Sequence, residues 1–449
     1  MKTSSRRKFL KKAGLVSAGL FSTNELLSNT HQKVHILQRK YQSENLETIR
    51  YGLIGAGGMG LSNIRNALRH NNTQLTAVCD LYEGRLKAIK RDFGSSVFLT
   101  KKHEELLNRD DVDIVIIATS DHWHMQIGID ALKAGKHVYC EKPVVHSIKE
   151  GNKLIDVWNK SGKKFMVGSQ GMSSPGNEKA KELLAKGAIG ELNYAEAIYA
   201  RSSSSGAWQY RIPKDGNQST VDWERYISNT TKRAFDPLRF FRWRNYVDYG
   251  TGMSGDLFVH LFTSLHFVVD SLGPDSISSL GGLRYWKDGR EVPDVMLGIF
   301  NYPDTQQHPG FNLSLYCNFV DPTTENNILR LVGSKGAMDV GWETVRLKQH
   351  KGVVESITPE ERKKMKLMGY STPRKKMLPP KESLFKVDND YKGVLYDHHG
   401  ALIYAIKTDS QVVQDPIFGF RAAAPALLCN ESYHSKKMIQ WDPKNLKVL

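Results

Sequence analysis

The sequence predicts an α/β protein of two units: a doubly wound parallel sheet first, then an α+β domain built on an open, mostly antiparallel sheet. Three observations carry that expectation. An apolar run, Tyr51 to Ile54, enters a glycine-rich turn and passes straight into a helical pattern. A second run, Asp113-Ile114-Val115-Ile116-Ile117-Ala118-Thr119, is continuous enough for a strand buried on both faces. From Tyr194 onward the pattern changes to polar/apolar alternation broken by long loops.

The turn reads Gly55-Ala56-Gly57-Gly58-Met59-Gly60, a G-x-G-x-x-G between the first strand and a helical pattern from Met59 to about His70. Gly55 permits the tight turn, and Gly57 lets backbone N–H groups approach a pyrophosphate at the helix N-terminus. Gly60 lets the helix pack close to the strand, and Gly58 and Met59 complete the phosphate-facing turn. The next strand, Gln74 to Cys79, ends in Asp80, twenty residues past Gly60, where a carboxylate can hold adenosine ribose hydroxyls. A 2′-phosphate beside Asp80 would place like charges together, so NAD is expected ahead of NADP.

Further along, helical patterns cover 82–93 and 102–108, with a short strand at 97–99. The strand at 113–119 ends in Ser120-Asp121-His122-Trp123-His124, a loop at the carboxyl edge where open α/β sheets bind ligands. A helix over 125–134 leads to a strand at 137–140, which runs into Glu141-Lys142-Pro143. A helix over 147–160 and a strand at 165–168 complete a Rossmann unit. Strands of the second domain are expected at 192–199, 277–285, 294–300, 313–319 and 328–332. The insertion 340–394, rich in Lys, Met and Pro, reads as irregular, and 361–376 as a solvated loop. The expected organisation is a leader and linker at 1–48, a dinucleotide-binding domain at 49–172 and a substrate domain at 173–449.

At 449 residues, 40% hydrophobic and 24% charged, the composition is that of a globular protein of two or three domains. The net charge of +16 does not argue for nucleic acid, because no nucleic-acid motif accompanies it. Six of the positive charges (Lys2, Arg6, Arg7, Lys8, Lys11 and Lys12) sit in a leader. There Ser5-Arg6-Arg7-Lys8-Phe9-Leu10-Lys11 resembles the twin-arginine export signal, and a short apolar stretch follows from Ala13 to Phe21. The expectation is a soluble periplasmic product carried out folded by the twin-arginine machinery. The alternative is a basic N-terminus on a cytosolic protein. The four cysteines, Cys79, Cys140, Cys317 and Cys429, are widely spaced without a C-x-x-C pair, so no disulfide framework is expected.

The glycine turn, the Thr119-to-His124 loop and above all Glu141-Lys142-Pro143 resemble the Gfo/Idh/MocA family of sugar and inositol oxidoreductases. The resemblance extends through Glu178 to Gly190, through Gly250 to His260 with its Asp-x-x-x-His pattern, and to Gly419-Phe420-Arg421-Ala422-Ala423, read as structural. It implies a catalytic role for Lys142. It also implies a nicotinamide-side position for Thr119, Ser120, His122, His124 and Glu141, and an approach of Arg244, beside Trp243, to the cofactor.

Hydride transfer from a secondary alcohol needs a base for the hydroxyl proton and charge control at the developing carbonyl. Asp256 and His260 lie four apart and, at helical spacing, share one face. His260 is then the expected base, near its working pKa, with Asp256 orienting it or binding a sugar hydroxyl. Many members of the family carry Asp three residues after this His, and here the position is Thr263. No metal is expected, because His122 and His124 flank Trp123 without the spacing of a structural zinc site and His260 and His266 are six apart. Asp397-His398-His399 reads as an N-cap with exposed histidines. Between Trp208 and Tyr249 the aromatics Trp208, Tyr210, Trp223, Phe240, Phe241, Trp243, Tyr246 and Tyr249 suit either sugar stacking or core packing.

The expected activity is NAD-dependent hydride transfer on a sugar, glycoside or polyol. A periplasm has no nicotinamide pool, so the cofactor would be bound before export and kept. One rival is glycoside cleavage by transient oxidation, elimination and return of the hydride; that branch of the family lacks the Glu-Lys-Pro and Asp-x-x-x-His patterns present here. Another rival is a non-catalytic sugar-binding protein. A second-domain sheet with one uncovered face could also pair two copies.

Overall fold

The computed structural model describes residues 34–35, 47–323, 328–355, 358–369 and 375–449. The twin-arginine motif and the apolar stretch after it lie outside the described residues.

Six parallel strands form the N-terminal sheet: β1 (Ile49–Ile54), β2 (Thr73–Cys79), β3 (Phe98–Thr100), β4 (Ile114–Ile117), β5 (His137–Glu141) and β6 (Phe165–Gly168). Their order is β3-β2-β1-β4-β5-β6, so the chain reverses direction across the sheet between β1 and β4. A crevice opens there, outside the strands' carboxyl ends. Every side chain of β4 is buried, as its unbroken apolar run requires. The crossovers are α1 (Gly58–Ala67), α2 (Glu83–Phe93), α3 (His103–Leu107), α4 (His124–Lys133) and α5 (Ile148–Ser161). Ser147 and Glu150 close a capping box at the start of α5, and Gly162 takes the left-handed conformation that ends it.

After α6 (Pro175–Ala185) the chain builds an eleven-stranded sheet. Its strands include β7 (Leu192–Ala200), β8 (Ser276–Gly282), β9 (Val295–Tyr302), β10 (Phe311–Asn318), β11 (Ile328–Gly333), β12 (Gly336–Val340), β13 (Thr344–Gln349) and β14 (Lys381–Lys386). The order runs Val34–His35, β14, β13, β12, β11, β7, β10, β9, β8, Ile439–Asp442, Lys447–Val448. Pairing is antiparallel except between β7 and β10 and at the Val34–His35 edge. Along β9, Met296, Gly298, Phe300 and Tyr302 face inward while Leu297 and Ile299 stand exposed, the alternation of a sheet covered on one face. The inner face packs on α7 (Val259–Val269) and α9 (Pro416–Ser435).

Two expectations are corrected here. The 340–394 insertion is not irregular: β13 and β14 extend the sheet, and Pro359–Leu367 is an exposed helix where a loop was expected. These short strands, TVRLKQ and KESLFK, carry no apolar run to announce them, because only one face meets the core. The second correction concerns His398 and His399. They are not exposed at a cap; they lie in the first turns of α8 (Val394–Lys407), fully buried, and Gly393 is the cap. Helix α8 returns to the N-terminal unit, where Leu402 and Ile403 join Tyr51, Leu53 and Ile116 in one core cluster. All four cysteines are free and buried.

Candidate active site

The crevice between the two sheets is a cavity of about 930 Å³ with walls from both units. Its first half is made largely by backbone. Gly55 sits at φ +92°, and a Cβ on it would lie 2.5 Å from the Ala118 carbonyl oxygen. A Cβ on Gly60 would lie 1.9 Å from the Gly55 oxygen, so glycine alone lets α1 seat against the turn. Gly57 and Gly58, by contrast, line the cavity without crowding: a Cβ on Gly57 would only touch the Arg85 guanidinium at 3.8 Å, and Gly58 faces open space. Among the described residues no side chain caps α1, which leaves its first N–H groups for a ligand, and an anion there is favoured by the helix dipole. Asp80, nearly inaccessible, accepts from the backbone N–H of Ala56 at 2.8 Å and of Tyr82 at 2.9 Å, and pairs with Arg85 at 3.4 Å. It braces the glycine turn and lines the cavity at the same time. These residues fit a nicotinamide dinucleotide: an open glycine cradle at a helix start, with a carboxylate at the end of the next strand.

A segment of the second unit roofs this half. Tyr82 pairs with Val221 in an isolated bridge, Glu83 N–H bonds Thr220 O, and Asp222 N–H bonds Leu81 O. Beneath the roof Tyr82, Trp223, Tyr226, Phe240, Phe241, Tyr246 and Tyr249 pack as one cluster. Most of the aromatics read for sugar stacking are therefore core; Trp208 is buried against Phe319. Tyr210 and Trp243 line the cavity, and so do Phe240 and Phe241 from the core cluster.

The loop after β4 divides in the same way. Thr119, Ser120 and His124 line the cavity. His124 is buried, its Nδ1 bonded to Pro143 O at 2.8 Å and its Nε2 to Thr119 O at 3.3 Å, so it ties the loop to the cis Lys142–Pro143 peptide. His122, expected on the nicotinamide side, is not among the lining residues. It packs against Tyr226 and Tyr249 with Nε2 on Tyr226 O at 3.1 Å, because the short 3-10 turn at Asp121–Trp123 directs it into the aromatic core.

The second half is made by side chains. Lys142 Nζ reaches across from the end of β5 to the Asp256 carbonyl at 2.5 Å and its Oδ1 at 2.8 Å. Arg244, stacked on Trp243, donates to the same Oδ1 at 3.1 Å. Burial alone would raise the Asp256 carboxyl; the charges of Arg244 and Lys142 outweigh it and hold the group well below the usual carboxylate range. Asp256 therefore does not orient His260. It lies in a π-helical turn, Ser254–Phe258, ahead of α7, and its carboxylate is committed to the two cations. His260 faces the cavity beside Trp342, and its buried Nδ1 has no hydrogen-bond partner among the described residues. Burial, then the Lys142 charge, push the imidazole down to about 3, so it is neutral at pH 7 rather than poised near it. Glu141 is the group held near neutrality: burial raises it to about 7 against the Asn63 hydrogen bond at 2.8 Å and the charges of Lys142 and Arg244. Gln170 also donates to it at 3.4 Å.

Fold and cavity together define the class. It is that of a two-unit α/β protein, a parallel dinucleotide-binding Rossmann sheet followed by a second, mostly antiparallel sheet. Residues 49–169 match the Gfo/Idh/MocA family model, described as an oxidoreductase family with an NAD-binding Rossmann fold. Among curated relatives, glycosyl hydrolase family 109 protein 1 of Shewanella sp. (strain ANA-3) is 30% identical over 235 residues, 49% of this chain and 50% of that protein. An α-N-acetylgalactosaminidase of Shewanella oneidensis is 30% identical over the same length. The chain thus spans about half the length of the curated relatives it matches. Among solved structures, an NAD-binding protein from Listeria innocua is 19% identical, with a TM-score of 0.61 over 88% of this chain and 100% of that one. A levoglucosan dehydrogenase solved with NADH and levoglucosan is 17% identical, with a TM-score of 0.61 over 88% of this chain and 99% of that one.

Sequence reasoning missed Tyr199, Arg201, Arg211 and Trp342 in the cavity wall, and Asn63 and Gln170 behind Glu141. For Arg201 a signal existed: in a strand of period 2 it falls on the same side as Tyr199. Trp342 had none, since it arrives from the insertion.

Proposed function

We propose that the chain transfers a hydride between a tightly held NAD and a hydroxyl-bearing carbon of a sugar, glycoside or polyol. One observation carries the reading: a single cavity has an open dinucleotide cradle at one end and Lys142, Asp256, Arg244 and His260 at the other. The nicotinamide, when bound, supplies the hydride acceptor for the carbinol carbon. Gly57, Gly58, Asp80, Thr119, Ser120 and Glu141 would hold the cofactor. Lys142, fixed on Asp256, is placed to hold the substrate oxygen and to offset negative charge on it as its proton leaves. His260 is neutral and presents a ring nitrogen to that proton, as a base weakened by burial and the Lys142 charge. The aromatic roof favours a cofactor that stays bound through many cycles.

A second reading has its own support in the similarity to family 109 glycosyl hydrolases and an α-N-acetylgalactosaminidase. In it the same oxidation acidifies the neighbouring C–H, the glycosidic bond is lost by elimination, and the hydride returns, with no net redox change. The two readings separate in one experiment. The protein, purified with its own cofactor, is mixed with free sugars and with aryl glycosides while nicotinamide absorbance and product mass are followed. A keto-sugar with stable cofactor reduction supports the first reading; aglycone release without net reduction supports the second; neither leaves only sugar binding.

Periplasmic location by twin-arginine export is part of the same proposal, and N-terminal sequencing of the native protein tests it. An intact Met1 in the cytosolic fraction would remove it. Self-association is supported by Leu280, which pairs in register with Leu297, and by nearby Ile299, all exposed on the outer sheet face. Ile299→Lys should shift a sedimenting dimer to monomer.

A further inference from the structure

We propose that the substrate half of the cavity takes an anionic carbohydrate, with its carboxylate or sulfate group held by Arg201 and drawn in by Arg211 at the mouth. This rests on the reading of the cavity as a carbohydrate site.

The argument is a charge account of the cavity wall. Lys142 and Arg244 are satisfied by Asp256. Arg85 is paired with Asp80, Lys101 with Glu83, and Arg225 with Glu104 and Asp222. The remaining acids are also occupied: Asp121 accepts from the Thr251 N–H and hydroxyl, and Glu141 from Asn63 and Gln170. Arg201 and Arg211 line the same cavity, and among the described residues neither guanidinium has an acidic partner or a side-chain hydrogen bond.

Arg201 is not a stray surface arginine. Ala195, Ala197 and Tyr199 of β7 face inward, and Arg201 follows two residues past Tyr199, with its N–H on Asn318 O at 3.0 Å continuing the ladder. The strand therefore delivers Arg201 to the inner face, half-buried, where its charge is felt at His260. A cation drawn out of water without a counter-charge is costly, so a built site of this kind is completed by a ligand that brings the charge. The planar fork suits the paired oxygens of a carboxylate or sulfate better than a single hydroxyl. A neutral sugar would leave the half-buried Arg201 without a counter-charge, while Arg211 stays exposed to water.

The test is calorimetric titration of the cofactor-loaded protein with methyl glucuronide, glucose 6-sulfate and methyl glucoside. At least one anionic probe should bind roughly tenfold more tightly than the glucoside. A preference for the glucuronide identifies a carboxylate, and a preference for the sulfate ester identifies that group. Arg201→Gln should remove the preference, Arg201→Lys should restore part of it, and Arg211→Gln should weaken it less. Retained cofactor and an unchanged melting temperature certify that each variant is folded. Equal binding of all three probes, no binding of either anionic probe, or a preference that survives Arg201→Gln overturns the inference. If the anionic probes bind but no sugar reduces the cofactor, the hydride-transfer reading fails and the anion site stands.

Discussion

The two halves of the cavity are built by different means. The cofactor half is a backbone surface: a glycine turn, a helix start and strand ends, contributed by consecutive elements of one sheet. The substrate half is a side-chain surface gathered from Lys142, Arg201, Arg244, Asp256, His260 and Trp342, spread over some two hundred residues. A backbone surface tolerates few residue types at few positions. A side-chain surface can be rebuilt one residue at a time while the cradle stays intact, which is how one fold comes to serve many substrates.

If that contrast is right, damage to each half should have a separate signature. Gly60→Val should have the largest effect, because even a Cβ would lie 1.9 Å from the Gly55 oxygen. The purified protein should carry no dinucleotide, which acid extraction and absorbance would measure. Lys142→Ala should do the opposite, keeping a full complement of cofactor while turnover falls roughly a thousandfold. Near-normal turnover would remove Lys142 from the chemistry. Asp256→Ala leaves Lys142 and Arg244 buried side by side without their counter-charge. About 3–5 kcal/mol of stability should be lost, read from urea unfolding.

The smallest effect expected is a pH dependence that belongs to neither half. His122 and His266 are buried and pushed down to about 3, chiefly by burial. Neutral in the folded protein and free to ionise when unfolded, they contribute stability that is complete above the ordinary histidine range near 6.5. It is lost as pH falls from there toward 3. Each should account for roughly 2 kcal/mol between pH 7 and pH 5. Urea midpoints at the two pH values, with His266→Gln as the comparison, measure it.

The same contrast explains what could be read in advance. Strand β4 announced itself as an unbroken apolar run, and the turn from Gly55 to Gly60 was legible because Gly55 and Gly60 answer steric demands of the backbone. Lys142, Asp256 and His260 were found by motif and do share one cavity, but their electrostatics were not legible. Helical spacing suggested that Asp256 orients His260; the π-helical turn and two cations from elsewhere gave its carboxylate to Lys142 and Arg244 instead. His122 and His398 were misplaced for a related reason. A lone histidine carries no periodicity, and only the tertiary packing of Tyr226 or Val167 decides that its ring is inside. Strands β13 and β14 were missed because polar residues such as Arg346, Lys348, Lys381 and Glu382 hide the short alternation of Val345 with Leu347 and the lone buried Phe385.

The central claim is that a sugar's carbinol hydrogen reaches a nicotinamide held in this crevice. It is tested most directly by incubating the protein, loaded with its native cofactor, with a sugar deuterated at the reacting carbon and weighing the released cofactor by mass spectrometry. Deuterium in the cofactor, absent when Lys142→Ala replaces the native chain, is the predicted result: it accumulates if the hydride stays, and it is caught in cofactor acid-quenched during turnover if the hydride returns. A substrate consumed with no deuterium ever entering the cofactor would contradict the account.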